Sequence, residues 1–296
     1  MRIGIDVGGT KIEAVAMDEH GHICHRQRIG SPRGDYQATL QAIVELVDAF
    51  RRELQQPCTI GIGIPGIISP STGLVKNSNS VWLIGKPLDR DLERLVGQPL
   101  RFSNDANCFA LSEAADGAGT GHAVVFGVIV GTGTGGGIVV HGRVLEGRHH
   151  IAGEWGHNPL PWPEHDEWPG PTCYCGRTGC IETFLSGPGL ARAYHLRSGQ
   201  VIDAVEVTRR AEEGDPAAAQ VLAKYEHRMA RALAGVINMI DPDVIVLGGG
   251  LSNIDRLYAN VPRLWAPFVF SDRVTTPLVK AAHGDSSGVR GAAWLW

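Results

Sequence analysis

No apolar run in this sequence reaches the roughly 20 residues that a membrane-spanning helix needs, and neither sign of charge dominates. The 27 Lys and Arg against 31 Asp and Glu give a net charge of -4. These charges are mixed along the chain, so there is no basic footprint for nucleic acid. No Gly-Lys-Ser/Thr follows a glycine run, which excludes a Walker phosphate loop. The N-terminus enters a strand at once (Arg2-Ile3-Gly4-Ile5-Asp6) and leaves no room for a signal peptide. Cysteines are few, six in 296 residues. The scattered Cys24, Cys58 and Cys108 fit a reducing compartment. The expectation is a cytoplasmic globular protein, long enough for two packed lobes, with no membrane or nucleic-acid partner.

The other three cysteines are concentrated. Cys173-Tyr174-Cys175-Gly176-Arg177-Thr178-Gly179-Cys180 packs them into eight positions, preceded by Glu154-Trp155-Gly156-His157 and followed at once by Ile181-Glu182. Three thiols and an imidazole are the Cys3His ligand set of a closed tetrahedral zinc site. The competing readings are cysteines as small buried apolar residues, or a disulfide, for which nothing here indicates export. His157 is the favoured fourth ligand. Residues 158–172 intervene before Cys173, however, and carry His165 as a second candidate. Four protein ligands leave no open position for a hydrolytic water, so Zn2+ here is structural. It acts by orienting its neighbours, among them Glu154 and Glu182 at the edges of the motif.

The 39 glycines are clustered rather than spread, marking loops where backbone comes close to something. Ile3–Val7 reads as a strand running into Gly8-Gly9-Thr10-Lys11 and a return strand over 12–17. Residues 123–130, the loop Gly131-Thr132-Gly133-Thr134-Gly135-Gly136-Gly137 and the strand 138–141 repeat that logic. Between them lie a helix over 36–55 capped by Asp35, a strand over 59–64 and a strand over 100–103 that runs into a helix from Asn104-Asp105. Later come a long helix over 216–240, a buried strand over 244–247 opening into Gly248-Gly249-Gly250, and a terminal helix over 286–296. The segments Gly61–Gly66 and Gly131–Gly136 match Gly-x-Gly-x-x-Gly, but neither leads from a strand into a helix, so both fail the dinucleotide-binding context. What remains is a set of Gly/Thr turns whose backbone N–H groups suit phosphate. Asp6 is placed to hold a hydrated Mg2+ and Thr10 to reach the phosphate. The repeat predicts two related α/β lobes with a cleft between them.

Taken together, Asp6-x-Gly-Gly-Thr-Lys11, Gly63-x-Pro-Gly66, Asn104-Asp105-Ala-Asn107, the Gly131–Gly137 loop, Glu154-x-x-His157, Cys-x-Cys-x4-Cys-x-Glu182 and Gly248–Gly250 resemble the ROK family (repressors, open reading frames, sugar kinases). That family lies within the actin/hexokinase/Hsp70 ATPase superfamily, and the resemblance covers essentially the whole chain. It implies an α/β fold of two ribonuclease-H-like, actin-like ATPase lobes with an inter-lobe cleft and a structural zinc site. The implied division is 1–118 as the smaller lobe, completed by 286–296, and 119–285 as the larger. The resemblance implies ATP-dependent phosphorylation of a hexose. Asp105 would be the general base, with sugar contacts from Asn104, Glu154, His157 and Glu182, and Gly66 and Asn79 as further candidates. His157 would bind zinc through one ring nitrogen and present the other to the sugar. ATP would lie against Asp6, Gly8, Gly9, Thr10 and Lys11, against Gly131, Thr132, Gly133 and Thr134, and against Gly248, Gly249 and Gly250. A homodimer is implied as well.

The segments Glu154–Trp162 and Asn77–Leu83 look most like the bacterial fructokinases of this family. The expected reaction is therefore fructose to fructose 6-phosphate, with Trp82 narrowing the pocket against an acetamido group. N-acetylglucosamine kinase, or a glucokinase or mannokinase, is the alternative. The family's repressors carry a helix-turn-helix domain ahead of the first phosphate loop. Here that loop begins at Asp6, so a repressor is disfavoured, and a non-catalytic sugar sensor is the reading from another class.

Overall fold

A computed structural model describes residues 1–296. β1 (Arg2–Val7) and β2 (Lys11–Met17) form a hairpin closed by the Gly8 N–H on the Lys11 carbonyl at 2.9 Å. β3 (Ile23–Gly30) pairs antiparallel with β2. Its residues alternate between half-buried and exposed, the pattern of a strand with one face on a core. Arg26 and Arg28 of its exposed face reach the buried Glu13 of β2 at 2.9 and 2.7 Å. α1 (Tyr36–Leu54) begins at Asp35, whose carboxylate accepts the Ala38 N–H at 3.0 Å. β4 (Thr59–Ile64) lies parallel to β1. A short pair, β5 (Ile67–Ile68) and β6 (Val75–Lys76), precedes α2 (Leu88–Val96). β7 (Arg101–Asn104) then runs parallel to β4 and feeds directly into α3 (Asp105–Asp116). The sheet order is β3-β2-β1-β4-β7. Ile3, Ile5, Ile60 and Ile62 of the sheet pack with Leu40, Ile43, Val47 and Phe50 of α1 in one core.

The remainder repeats this plan. β8 (Val124–Val130), β9 (Thr134–Val140) and β10 (Arg143–Val144) are followed by α4 (Ile181–Leu185), α5 (Gly187–Ser198), α6 (Ala204–Glu212) and the long α7 (Pro216–Ile240). β11 (Val244–Gly248), α8 (Arg256–Trp265), β12 (Leu278–Lys280) and α9 (Ser287–Ala293) complete the chain. The second sheet has the order β10-β9-β8-β11-β12, with β11 parallel to both β8 and β12. β11 reads Val-Ile-Val-Leu-Gly and is buried throughout, as a central parallel strand must be. Position for position it is the arrangement of the first sheet.

The chain divides into two compact units. One comprises Met1–Thr120, Gly137–Ala152 and His283–Trp296, the other Gly121–Gly136 and Gly153–Ala282. The segment 137–152, with the end of β9 and β10, thus groups with the N-terminal unit, whereas the sequence expectation kept all of 119–285 in the second. In the first unit α9 sits directly on β1 and β4. Gly4 and Gly61 face each other in register. A Cβ on Gly4 would lie 2.1 Å from the Val289 carbonyl, and one on Gly61 1.8 Å from that of Ala292. The glycine at the head of the first Gly-x-Gly-x-x-Gly therefore serves helix packing. No helix is long and apolar enough to cross a membrane.

Candidate active site

In the first unit, chemistry-bearing groups gather at the C-terminal ends of β1, β4 and β7. The turn Gly8–Thr10 is held from outside by the Arg33 Nε–H on the Gly9 carbonyl (2.8 Å) and the Ser31 N–H on the Thr10 carbonyl (3.0 Å). Asp6, one residue before the end of β1, has its carboxyl raised to about 7. Burial is the main cause, then the nearby Asp105 and Glu13, with Lys11 opposing. Lys11 itself lies 3.8 Å from Glu13.

At the β7–α3 junction Asn104 takes the helix cap, accepting the Asn107 N–H at 2.7 Å. Asp105 is thereby freed from that duty. Its carboxylate accepts the adjacent Ala106 N–H at 2.8 Å and its own backbone N–H, and the residue keeps an exposed edge. Burial of the carboxyl raises its pKa against the lowering effect of those two N–H groups. A carboxyl held above its ordinary range, uncapped and accessible, is what a general base requires. One turn on, the buried Cys108 thiol is pushed up by burial and by the charges of Asp6 and Asp105.

Gly66 takes φ +95°, and a Cβ there would meet the Lys76 carbonyl at 2.6 Å. Asn79 is exposed, between the buried Ser78 and Ser80. The expectation for Trp82 is corrected. Its Nε1–H donates to Thr39 Oγ1 at 3.1 Å and its ring packs against the core beneath α1. It anchors its loop from within.

In the second unit the Gly131–Thr134 turn is stitched to the Glu154–His157 turn. Trp155 Nε1–H donates to the Gly135 carbonyl at 2.9 Å. A Cβ on Gly156 would lie 2.0 Å from the Thr134 carbonyl, so only glycine allows this approach. Glu182, in the first turn of α4, accepts the Thr134 N–H through Oε2 at 2.9 Å. The Thr134 hydroxyl is buried without a partner. Beyond β11, Gly249 has φ +83° and begins the loop that carries Gly250.

The Cys3His set converges. Ligand atoms of His157, Cys173, Cys175 and Cys180 all lie within 4.8 Å of one another. Cys173 Sγ is 3.6 Å from His157 Nδ1, and Cys175 Sγ is 3.6 Å from Cys180 Sγ. A tetrahedron of thiolates about 2.3 Å from zinc has edges of about 3.8 Å, so the donor set fits zinc, and no disulfide forms. His165 is not in the group. It lies in the helical turn His165–Glu167, on a segment docked to α7 through the buried Glu167, which contacts Arg228 at 2.7 Å and Arg231 at 2.8 Å.

Sequence reasoning missed Tyr174, whose hydroxyl lies 2.9 Å from His157 Nε2, the nitrogen expected to face the sugar. Exposed as its ring is, the phenol is pushed up to about 12 by desolvation, then by Glu182, Cys173 and Glu154. Arg33 was missed too. Its only sequence signal is its place in the Ser31-Pro32-Arg33 turn.

Two sheets of one strand order, each ending a hairpin in a Gly/Thr turn, define the actin-like ATPase fold of sugar kinases. The chain belongs to the ROK family, whose profile matches residues 2–296. It is 40% identical over 302 residues to an N-acetyl-D-glucosamine kinase from Vibrio atlanticus (strain LGP32), covering 100% of this chain and 99% of that relative. The structure matches a ROK hexokinase from Thermus thermophilus with a TM-score of 0.88 at 30% identity, covering 99% of this chain and 97% of the other. It also matches a ROK family glucokinase from Streptomyces griseus, solved in complex with glucose and AMPPNP, at a TM-score of 0.78 and 28% identity, over 99% and 97% of the two chains. These likenesses place the chain among the ATP-dependent hexose kinases of the family. The expectation of fructose is not supported by these likenesses, and full-length relatives at 38–40% identity that are named N-acetyl-D-glucosamine kinases favour its alternative.

Proposed function

We propose that this kinase transfers the γ-phosphoryl group of ATP to the 6-hydroxyl of N-acetyl-D-glucosamine. The full-length 40% identity to a kinase named for that sugar carries the reading. As the sugar oxygen bonds to the γ-phosphorus, the bond from that phosphorus to the β-phosphate bridging oxygen breaks. The hydroxyl proton passes to the Asp105 carboxylate, and ADP leaves. Asn104, Glu154, His157 and Glu182, with Gly66 and Asn79, bind the sugar. Asp6 holds the hydrated Mg2+. Phosphates lie against the turns at Gly8, Gly9, Thr10 and Lys11 and at Gly131, Thr132, Gly133 and Thr134, and the adenosine lies against Gly248, Gly249 and Gly250. Phosphoryl transfer asks chiefly for such positioning and charge neutralisation. His157, Cys173, Cys175 and Cys180 would hold zinc, which supplies a rigid anchor for the turn that bears Glu154 and His157 and no open coordination position.

The test is coupled ADP release with Mg–ATP across N-acetylglucosamine, glucose, mannose and fructose. N-acetylglucosamine is expected to lead in kcat/KM by about tenfold or more, the scale on which a pocket separates small substituents. A lead for fructose would overturn the reading. Asp105→Asn should lower kcat by about 10²–10⁴-fold, with sugar binding largely retained.

A further inference from the structure

Tyr174 meets His157 at the one nitrogen a sugar could use. His157 turns Nδ1 toward the cysteines, 3.6 Å from Cys173 Sγ, which leaves Nε2 as the other polar atom of the ring. An imidazole nitrogen makes a single in-plane hydrogen bond, as donor or as acceptor. That bond goes to the Tyr174 hydroxyl, at 2.9 Å. The two rings stand edge to face, with centroids 5.1 Å apart and planes at 85°. Glu182 and Glu154 lie close enough for their charges to act on the same phenol. The hydroxyl thus stands among three of the residues proposed to bind the sugar.

The fold does not require this contact. Tyr174 is 83% exposed, so its ring takes no part in the core. Only its backbone is fixed. The Cys173 N–H donates to the Arg177 carbonyl at 2.7 Å and the Gly176 N–H to the Cys173 carbonyl at 3.0 Å, closing a tight turn around it. From that turn the side chain can rotate into solvent for the loss of one hydrogen bond and one edge contact. A phenolic O–H both donates and accepts, as a sugar hydroxyl does, so it matches Nε2 in either tautomer. A hydrogen bond of ordinary net strength favours such a closed form over the open one by about 2–10-fold. A ligand that needs the open form binds more weakly by about that factor.

Resting on the reading of the chain as a sugar kinase in which His157 grips the sugar, we propose that the Tyr174 hydroxyl competes with the sugar for His157 Nε2 and swings aside as the sugar binds. Tyr174→Phe keeps the exposed ring and removes only the competing hydroxyl. The dissociation constants for N-acetylglucosamine and for glucose, measured by calorimetry without nucleotide, should each fall about 2–10-fold. The factor should be the same for both sugars, because the competition is for a nitrogen of the protein and not for any one substituent. In turnover the gain should appear in KM and leave kcat where it was. Weaker binding, or a change confined to one sugar, would make the phenol a sugar contact and overturn the proposal. Unchanged binding of both would overturn it as well, since the hydroxyl would then compete with nothing. A wild type that binds neither sugar would instead sink the kinase reading, and the competition with it.

Discussion

Asp6 carries the sharpest consequence among single residues. Its carboxyl is raised from 3.8 to about 7 by burial first and by Asp105 and Glu13 next. The folded state therefore binds a proton more readily than the unfolded chain. The associated stability is complete below about pH 4 and is lost as pH rises through about 7. Across that window the protein without ligands should lose on the order of a few kcal/mol from this group. Asp6→Asn should remove the loss, matching the wild type near pH 4 and exceeding it at pH 8 in urea midpoint. Asp105, whose raised pKa acts with the same sign, contributes to the slope left in the variant. The proposed Mg2+ role needs the ionised carboxylate, so Mg–ATP affinity should climb over the same range in which stability falls. Equal stability of wild type and Asp6→Asn at pH 8 would refute the burial argument. Asp6 and the Cys3His residues were legible in the sequence because motif spacing carried them. Tyr174 was not, because the meeting of its hydroxyl with His157 Nε2 depends on how the turn folds. Trp82 was misread for a related reason. Its partner Thr39 sits 43 residues away on α1.

Among elements, the segment 158–172 shows how a surface insertion becomes structural. It joins His157 to Cys173, two of the proposed zinc ligands, and is fixed to α7 by Glu167, whose side chain is fully buried between Arg228 and Arg231. Arg231 also donates to the Trp162 carbonyl of the same segment. Glu167→Ala would leave two buried guanidinium groups without their carboxylate counter-charge, a loss of about 3–5 kcal/mol. The variant should unfold at lower urea and release zinc to a chelator faster than the wild type. Unchanged zinc release would show that the insert and the metal ligands are independent. The longer elements were readable from period and cap: α1 with Asp35, α7 from Pro216 to Ile240, and the strand from Thr59 to Ile64. β3 was not, because His25, Arg26, Gln27 and Arg28 break any apolar alternation. Pairing with β2 and ion pairs to Glu13 stabilise it instead. β12 has only three residues and leaves no periodic trace.

At the scale of the whole molecule, the repeat of strand, Gly/Thr turn and strand announced two related sheets, and both have the same strand order. The sequence expectation that the last helix completes the N-terminal lobe has a physical basis in two glycines. Gly4 and Gly61 lie side by side on β1 and β4, and the α9 backbone occupies the space their side chains would fill. Gly291 extends the same contact to α3, where a Cβ would come 1.6 Å from the Cys108 carbonyl. The nearest atoms at all three positions are backbone, so rotamer changes cannot relieve an added methyl. Gly61→Ala must displace α9 from the sheet. With it would go the burial of Val289, Ala292 and Ala293, a loss on the scale of about 1.5–3 kcal/mol for a fully buried side chain such as Val289. The expected outcome is a lower Tm, together with protease cleavage in the last ten residues, 287–296, at concentrations that spare the wild type. Gly34→Ala is the control for alanine at a surface turn, because nothing lies within 4 Å of a Cβ there, although its φ of +78° carries backbone strain. If Gly61→Ala kept the wild-type Tm and resisted cleavage, the glycine contact would not be what seats the final helix.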